Sequence, residues 1–424
     1  LWSNNNFSKS YIEKLMIDGA IETKLSLAEI INADERELIK KSNNFYLATK
    51  LSGKTLEKLS EKIYDSLVDK IENGIKTPDN HNILHTAPHH DDIELAYFPL
   101  LHHLVRSKNN LNHFAYCTSG FTAVTNKYLL LCLQDLSSEI TDGQLLERFS
   151  LENLKDITNA QDDITAYLNG IACQNIEYQH LAKSARLART LFKHLETDNI
   201  TTLTEFVHKM IETIQEIEPG RKEPKIIHLC KSWLREFEAE LVWAHFGIRM
   251  NNVSHLRLKF YTDDIFPSYP NFENDVLPIY KLLKKIKPTI VTLALDPEGT
   301  GPDTHFKSLI AIAHALEVYV KKNSNTKIKI WGYRNVWSKF EPSDVNKIIL
   351  VSLNSFAVLH NMFNNCFLSQ KTASFPSYEL DGTFSELAQK IWVKQHNTLI
   401  KLLGKDYFYY NPNPKMRRAY GAIY

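Results

Sequence analysis

The sequence predicts an α/β fold: a Rossmann-like, mostly parallel sheet with helices on both faces, plus an N-terminal helical segment and a large helical insertion. Three observations carry this expectation. From residue 83 onward, short apolar strands alternate with amphipathic helical patterns, the grammar of a parallel sheet covered on both sides. Between residues 127 and 246 that alternation gives way to helical patterns alone. Before it, residues 9–76 place apolar side chains at helical spacing,.

Residues 1–78 form the N-terminal helical segment, in which Leu56, Leu59, Ile63, Leu67 and Ile71 recur every three or four positions,. "TPDNHN" (77–82) then breaks the pattern. The α/β unit spans 79–340, with strands at "ILHTA", "HFAYCTSG", "HLRLKF" (255–260), "TIVTLAL" (289–295) and "KIKIWGY" (327–333). Its first helix, "DIELAYFPLLHHLVRS", sets Ile93, Tyr97, Leu100, Leu101 and Leu104 on one face,. "VLPIYKLLKKI" and "HFKSLIAIAHALEVYVKK" supply two more. The insertion, 127–246, reads as helices throughout, and the C-terminal extension, 341–424, reads as mostly helical.

Composition bounds the function. The chain has 424 residues, 43% hydrophobic and 23% charged, enough to bury a core in two or three domains,. Its 50 basic and 49 acidic side chains leave a net charge of +1, so charge gives no reason to expect a nucleic acid or an acidic membrane as partner. Five scattered cysteines with no CxxC pair argue against a disulfide framework or a cysteine zinc site,. No stretch reaches the 18 or so apolar residues of a membrane span, and no signal peptide is visible. The expected location is cytoplasmic. The chain begins at Leu1 rather than Met and reads as a piece of a longer one,.

The chemistry concentrates at two strand ends. "PHHDD" (Pro88–Asp92) comes directly after the first strand, and in an open parallel sheet ligands bind at the carboxyl ends of the strands. His89 and Asp92, three positions apart on one turn, point into one small volume and suit a metal. A catalytic zinc takes three protein donors, and the third is found in "ALDPEGTGPDTHFKSL" (294–309), where His305 opens a helix. Asp91 is left beside the metal, placed to take a proton from water. An alternative is an N-capping aspartate with two unrelated histidines. His90 is either a partner to a ligand or a replacement of no consequence. Asp296, Glu298 and Asp303 are either ligands or loop formers and read first as loop formers, Arg235 and Glu238 as a structural pair one turn apart, and His85 as a core histidine. "SGKT" (52–55) lacks the earlier glycine of a phosphate loop, Ala48 standing in its place,.

These motifs resemble the LmbE/PIG-L superfamily of zinc-dependent de-N-acetylases, whose signature (A/P)HPDD stands here as "PHHDD", with His90 in place of proline. "HFAYCTSGFTAVT" is similar to the family's second strand and its T-S-G turn, "LREFEAELVWAHFGI" (234–248) to its R-x-x-E-A helix, and "DPEGTGPDTH" to the loop of the third metal histidine. "WGYRNVW" and "LSQKTASFP" resemble later landmarks. The resemblance covers 82–126 and 231–376. It implies Zn2+ or another divalent metal on His89, Asp92 and His305, Asp91 as general base, and Arg334, Ser119 and Asp303 as substrate-binding candidates. The implied activity is removal of an acetyl or other acyl group from the amide nitrogen of an amino sugar or its phosphate. The nearest subgroup is fused behind a glucosamine-6-phosphate deaminase domain, so an upstream deaminase or a homo-oligomer is an implied partner. Two family histidines are missing: "GPDTH" lacks the first histidine of H-P-D-H, and Phe367 stands where an oxyanion-steadying histidine is frequent. The rival expectation is a catalytically weakened module that binds an amino sugar or a partner protein.

Overall fold

The structure, a computed structural model, describes residues 8–218, 221–264, 267–298, 303–323, 327–336, 338–371 and 382–424. Its centre is a five-stranded, all-parallel sheet of order β3-β2-β1-β4-β5, formed by β1 (Asn82–Ala87), β2 (Leu111–Tyr116), β3 (Val253–His255), β4 (Ile290–Ala294) and β5 (Lys329–Tyr333). The expected fold class is therefore the one observed. β1 pairs with β2 from Asn82↔Leu111 to Ala87↔Tyr116, and with β4 at Ile83↔Ile290 and Leu84↔Val291. Every residue of β4 is buried, as expected of a strand covered on both faces.

The chain leaves β1 toward β2 and β3, then returns to build β4 and β5 on the other side. The strand order therefore reverses between β1 and β4, and their carboxyl ends flank the crevice where such sheets bind ligands. Among the chain's helices are α1 (Lys9–Thr23), α2 (Leu56–Ile75), α3 (Asp92–Leu104), α4 (Lys225–His245), α5 (Asp303–Lys322) and α6 (Phe384–Leu403), of which α1 and α2 pack with one another and with α6 rather than on the five-stranded sheet.

Three apolar cores hold the layers together. One packs α3, the insertion and one sheet face, with Phe98, Phe114, Leu133, Leu191 and Trp243 buried in it. A second lies on the opposite face, under α5, with Leu84, Val291, Ile312 and Ala315. The third joins the two ends of the chain: Leu15 and Met16 of α1 and Leu59 and Leu67 of α2 meet Leu399 and Leu402 of α6 and Ala422. Gly74 lies so close to the backbone at Ile348 that an added Cβ would sit 1.8 Å from its carbonyl oxygen. The five apolar residues expected to face inward from 56 to 71 are all buried.

Two elements differ from expectation. The third strand spans Val253–His255 rather than the expected 255–260, of which it includes only His255. Beyond it the backbone amides of Leu256 and Leu258 still reach the carbonyls of Tyr116 and Cys117, but Arg257 turns to a φ of +48° and ends the ladder. The extension read as mostly helical also contains two strands, β6 (Ile349–Ser352) and β7 (Ala419–Ile423), paired antiparallel. They are too short, and too far apart in sequence, to signal each other. No described helix is long and apolar enough to cross a membrane.

Within α3, Pro99 lacks the donor a helix interior needs and its ring crowds the carbonyl four residues back. The helix kinks there, with Tyr97 at φ −148° and ψ 29°. The kink sets the Tyr97 hydroxyl 3.0 Å from both His85 Nδ1 and Thr292 Oγ1. His85, fully buried, uses its other nitrogen 3.1 Å from Asn112 Oδ1; it is the core histidine expected. Burial, only partly offset by Asn112, lowers its pKa to about 4. Unfolded, it would take a proton near pH 6.5, so the depressed value costs nothing at neutral pH. Stability falls as pH drops from about 6.5 toward 4, by about 3 kcal/mol in total. Urea titrations at pH 7 and pH 4.5, compared between the parent and His85→Gln, would show this loss shrinking in the variant.

Candidate metal centre

Local geometry begins with β1, which delivers Pro88–Asp92 to the reversal point of the sheet. The turn after it closes on itself: His89 N–H donates to Asp92 Oδ2 at 2.6 Å. β4 ends beside β1 and delivers Asp296, and α5 begins at Asp303 with His305 in its first turn. The structure brings His89, Asp92 and His305 together as a group able to hold a metal ion. His89 Nδ1 lies 3.2 Å from His305 Nε2 and 3.4 Å from Asp92 Oδ2, and His305 Nε2 lies 3.5 Å from Asp92 Oδ2.

The alternative of a simple capping aspartate fails on this geometry. Asp91, at the N-cap of α3, makes no side-chain capping bond, and Asp92 turns back to His89 rather than into its helix.

The groups behind the triad fix its orientation. His305 Nδ1 lies 2.7 Å from Asp296 Oδ2, which makes Nδ1 the donor and leaves Nε2 facing its two neighbours. Asp296 is thus no mere loop former; it is buried and orients His305. Its other oxygen accepts the backbone N–H of Asn335 at 3.0 Å, and the Asn335 amide side chain donates to Asp92 Oδ1. One residue therefore ties the β1, β4 and β5 loops to each other. Burial disfavours the charged form of both Asp92 and His305. The facing His305 and the bonds from His89 nonetheless hold the Asp92 carboxyl well below the usual carboxylate range. Asp92 and Asp296 likewise raise His305 above its ordinary value. Asn335→Ala is expected to weaken metal binding about 10–100-fold, with the fold intact; a chelator competition titration would read it, and an unchanged affinity would remove Asn335 from the site.

Asp91 stands beside the triad and faces Arg235 of α4, whose Nη2 lies 3.3 Å from Asp91 Oδ2. Arg235 also pairs with Glu238 at 3.0 Å, as expected, but the structure gives it this second carboxylate as well. Burial works against its charge, and the two carboxylates more than offset that. Glu238 in turn accepts the Ser369 N–H and hydroxyl, each at 2.7 Å. The fully buried Phe367 lies under Arg235, its ring centre 5.2 Å from the guanidinium carbon. Arg235 thus brings the last helix of the insertion, the turn after β1 and the 367–369 segment together.

The remaining candidates are not part of the triad. Asp303 pairs at 2.7 Å with Lys307 on its own helix and is exposed. Arg334 donates to the carbonyls of Leu295 and Lys339 and stacks on Phe340, so its guanidinium is engaged by its own loop. Ser119 is half-buried in the turn after β2. Glu298 is exposed, residues 299–302 lie outside the described residues, and the "LSQKTASFP" stretch is described only to Lys371. His90 is buried in a cluster of three rings, 4.7 Å from Tyr116 and 5.4 Å from His255, which are themselves 5.8 Å apart. Among the described residues neither of its ring nitrogens has a hydrogen-bond partner, so it packs as an aromatic ring and steadies no ligand. The turn over it requires glycine: Gly120 has φ +65°, and a Cβ would come 2.8 Å from His90 Nδ1,.

Asn335, Asp296 and Arg235 are the site residues that sequence reading missed. Position offered a signal for the first two, since both come just after a strand's carboxyl end. No family model, curated protein or solved structure matches this chain.

Proposed function

We propose that the chain is a metal-dependent hydrolase that removes an acetyl or other acyl group from the amide nitrogen of an amino sugar or its phosphate, as the resemblance to LmbE/PIG-L de-N-acetylases implies. The observation that carries it is the triangle of His89, Asp92 and His305 at the reversal point of the sheet, with Asp91 alongside. Donors about 2.0–2.1 Å from a tetrahedral zinc lie about 3.3–3.4 Å apart, and the three here are 3.2, 3.4 and 3.5 Å apart. Two imidazoles and a carboxylate suit zinc better than magnesium or calcium. Such an ion, when bound, polarises the amide carbonyl and acidifies water.

The protein's own groups do the rest. Asp296 and Asn335 hold the ligands in place. Asp91 takes a proton from the attacking water and delivers it to the departing nitrogen, so that amide and water become carboxylic acid and amine, which then exchange a proton to leave carboxylate and ammonium. Arg235 holds the Asp91 carboxylate in one orientation. Phe367 favours the second reading, a weakened amino-sugar-binding module, because its ring donates no hydrogen bond to a developing oxyanion.

Metal content and acetate release from N-acetylglucosamine and its phosphate, measured on the parent and on His89→Ala/His305→Ala, test both. The expected result is about one zinc per chain and acetate release in the parent, with both lost in the variant. Zinc without release selects the binding module; no metal in the parent ends both readings.

A further inference from the structure

A second cavity, of about 660 Å³, opens between edge strand β5 and the 340–349 segment, within the roughly 300–1,000 Å³ typical of small-molecule sites. None of the metal-centre residues lines it. Lys76, Lys329 and Lys347 face into it against one carboxylate, Asp344, which already accepts the Ser10 hydroxyl at 2.7 Å. Among the described residues no carboxylate lies within ion-pairing distance of these three lysines.

Lys347 is half-buried, and its ammonium sits 4.9 Å above the centre of the Trp331 ring. Burial, and then the neighbouring Lys329, push it below its ordinary value. A cation that has lost water and gained only an aromatic face is one that an anion would stabilise. Trp331, Tyr333 and Phe340 supply a ring-bearing wall beside it. A further cavity of about 560 Å³ adjoins across Thr77, Leu100 and Ile349 and adds Lys415 and Arg418. On a chain whose net charge is only +1, this concentrates positive charge in one trough.

We propose that this trough is a second ligand site, for a phosphate-bearing organic anion with a flat ring: the chemistry of a nucleoside phosphate. The phosphates meet Lys329 and Lys347, and the ring lies against the aromatic wall. The inference is independent of the metal-centre reading.

Calorimetric titration of the full chain with ADP, adenosine and pyrophosphate tests it. ADP is expected to bind below millimolar, about tenfold or more tighter than either fragment, and Lys329→Gln/Lys347→Gln to weaken it about tenfold or more, since two charge-assisted contacts are lost. Lys329 is exposed and Lys347 half-buried, and an unchanged melting curve would show that the variant folds. ADP affinity is expected to survive His89→Ala/His305→Ala. The proposal is overturned by any one of four results: no ADP binding at millimolar concentration; pyrophosphate binding as tightly as ADP; indifference to the lysine substitutions; or loss of ADP binding with the metal ligands.

Discussion

Replacing Asp91 with asparagine leaves the metal in place and lowers acetate release about 10²–10⁴-fold, the range over which a positioned general base contributes. The substitution keeps the size of the side chain and its place against Arg235 Nη2, 3.3 Å away, while replacing the basic carboxylate with an amide that cannot take up a proton. Asp91 is not among the three clustered donors, so metal content is the control. Full acetate release with metal retained would take the proton-transfer role away from Asp91. Loss of both would mean that the carboxylate belongs to the ligand set instead.

Arg235→Ala carries the largest expected effect on stability. Arg235 is 1% exposed and Glu238 is 3% exposed, and truncating one partner leaves the other as a buried charge with less compensation. Breaking such a pair costs about 3–5 kcal/mol. Asp91 would lose its neighbour too, so the variant should both unfold at lower urea and turn over more slowly. A chemical denaturation midpoint equal to that of the parent would show that Ser369, which gives Glu238 two bonds, compensates alone. The guanidinium would then act only on Asp91.

Much of this centre could be read in the sequence because its first turn is local. His89 and Asp92 sit three residues apart, and a strand leading into an amphipathic helix places both at a strand's carboxyl end. His305 was legible for the same reason, one strand over. What could not be read is what crosses between elements. Asn335 joins Asp92 to Asp296 only because β5 lies beside β4 in the sheet, and nothing in "WGYRNVW" announces that pairing. Arg235 reaches Asp91 because the last helix of the insertion packs against the turn. Its i,i+3 spacing to Glu238 suggested a local pair and hid the longer contact. β6 and β7 escaped for a different reason: two strands of four and five residues, with the whole of α6 between them, carry too few alternating positions to stand out from helical neighbours.

The core shared by α1, α2, α6 and β7 has a consequence for how the chain matures. During synthesis the apolar faces of α1 and α2 emerge well before the surface of α6 and β7 that covers them, which follows the entire α/β unit. Contacts of such long sequence separation form slowly, because the loop must close before they contribute. Until then, Leu59 and Leu67 and their neighbours are exposed to solvent and to other chains, the circumstance in which nascent proteins aggregate or engage chaperones. The metal centre shares part of this dependence: Ala388, Ile391 and Trp392 of α6 also pack in the core that holds α3, whose first residue is Asp92. A ribosome-bound chain ending short of α6 would therefore leave both its N-terminal helices and α3 open to protease.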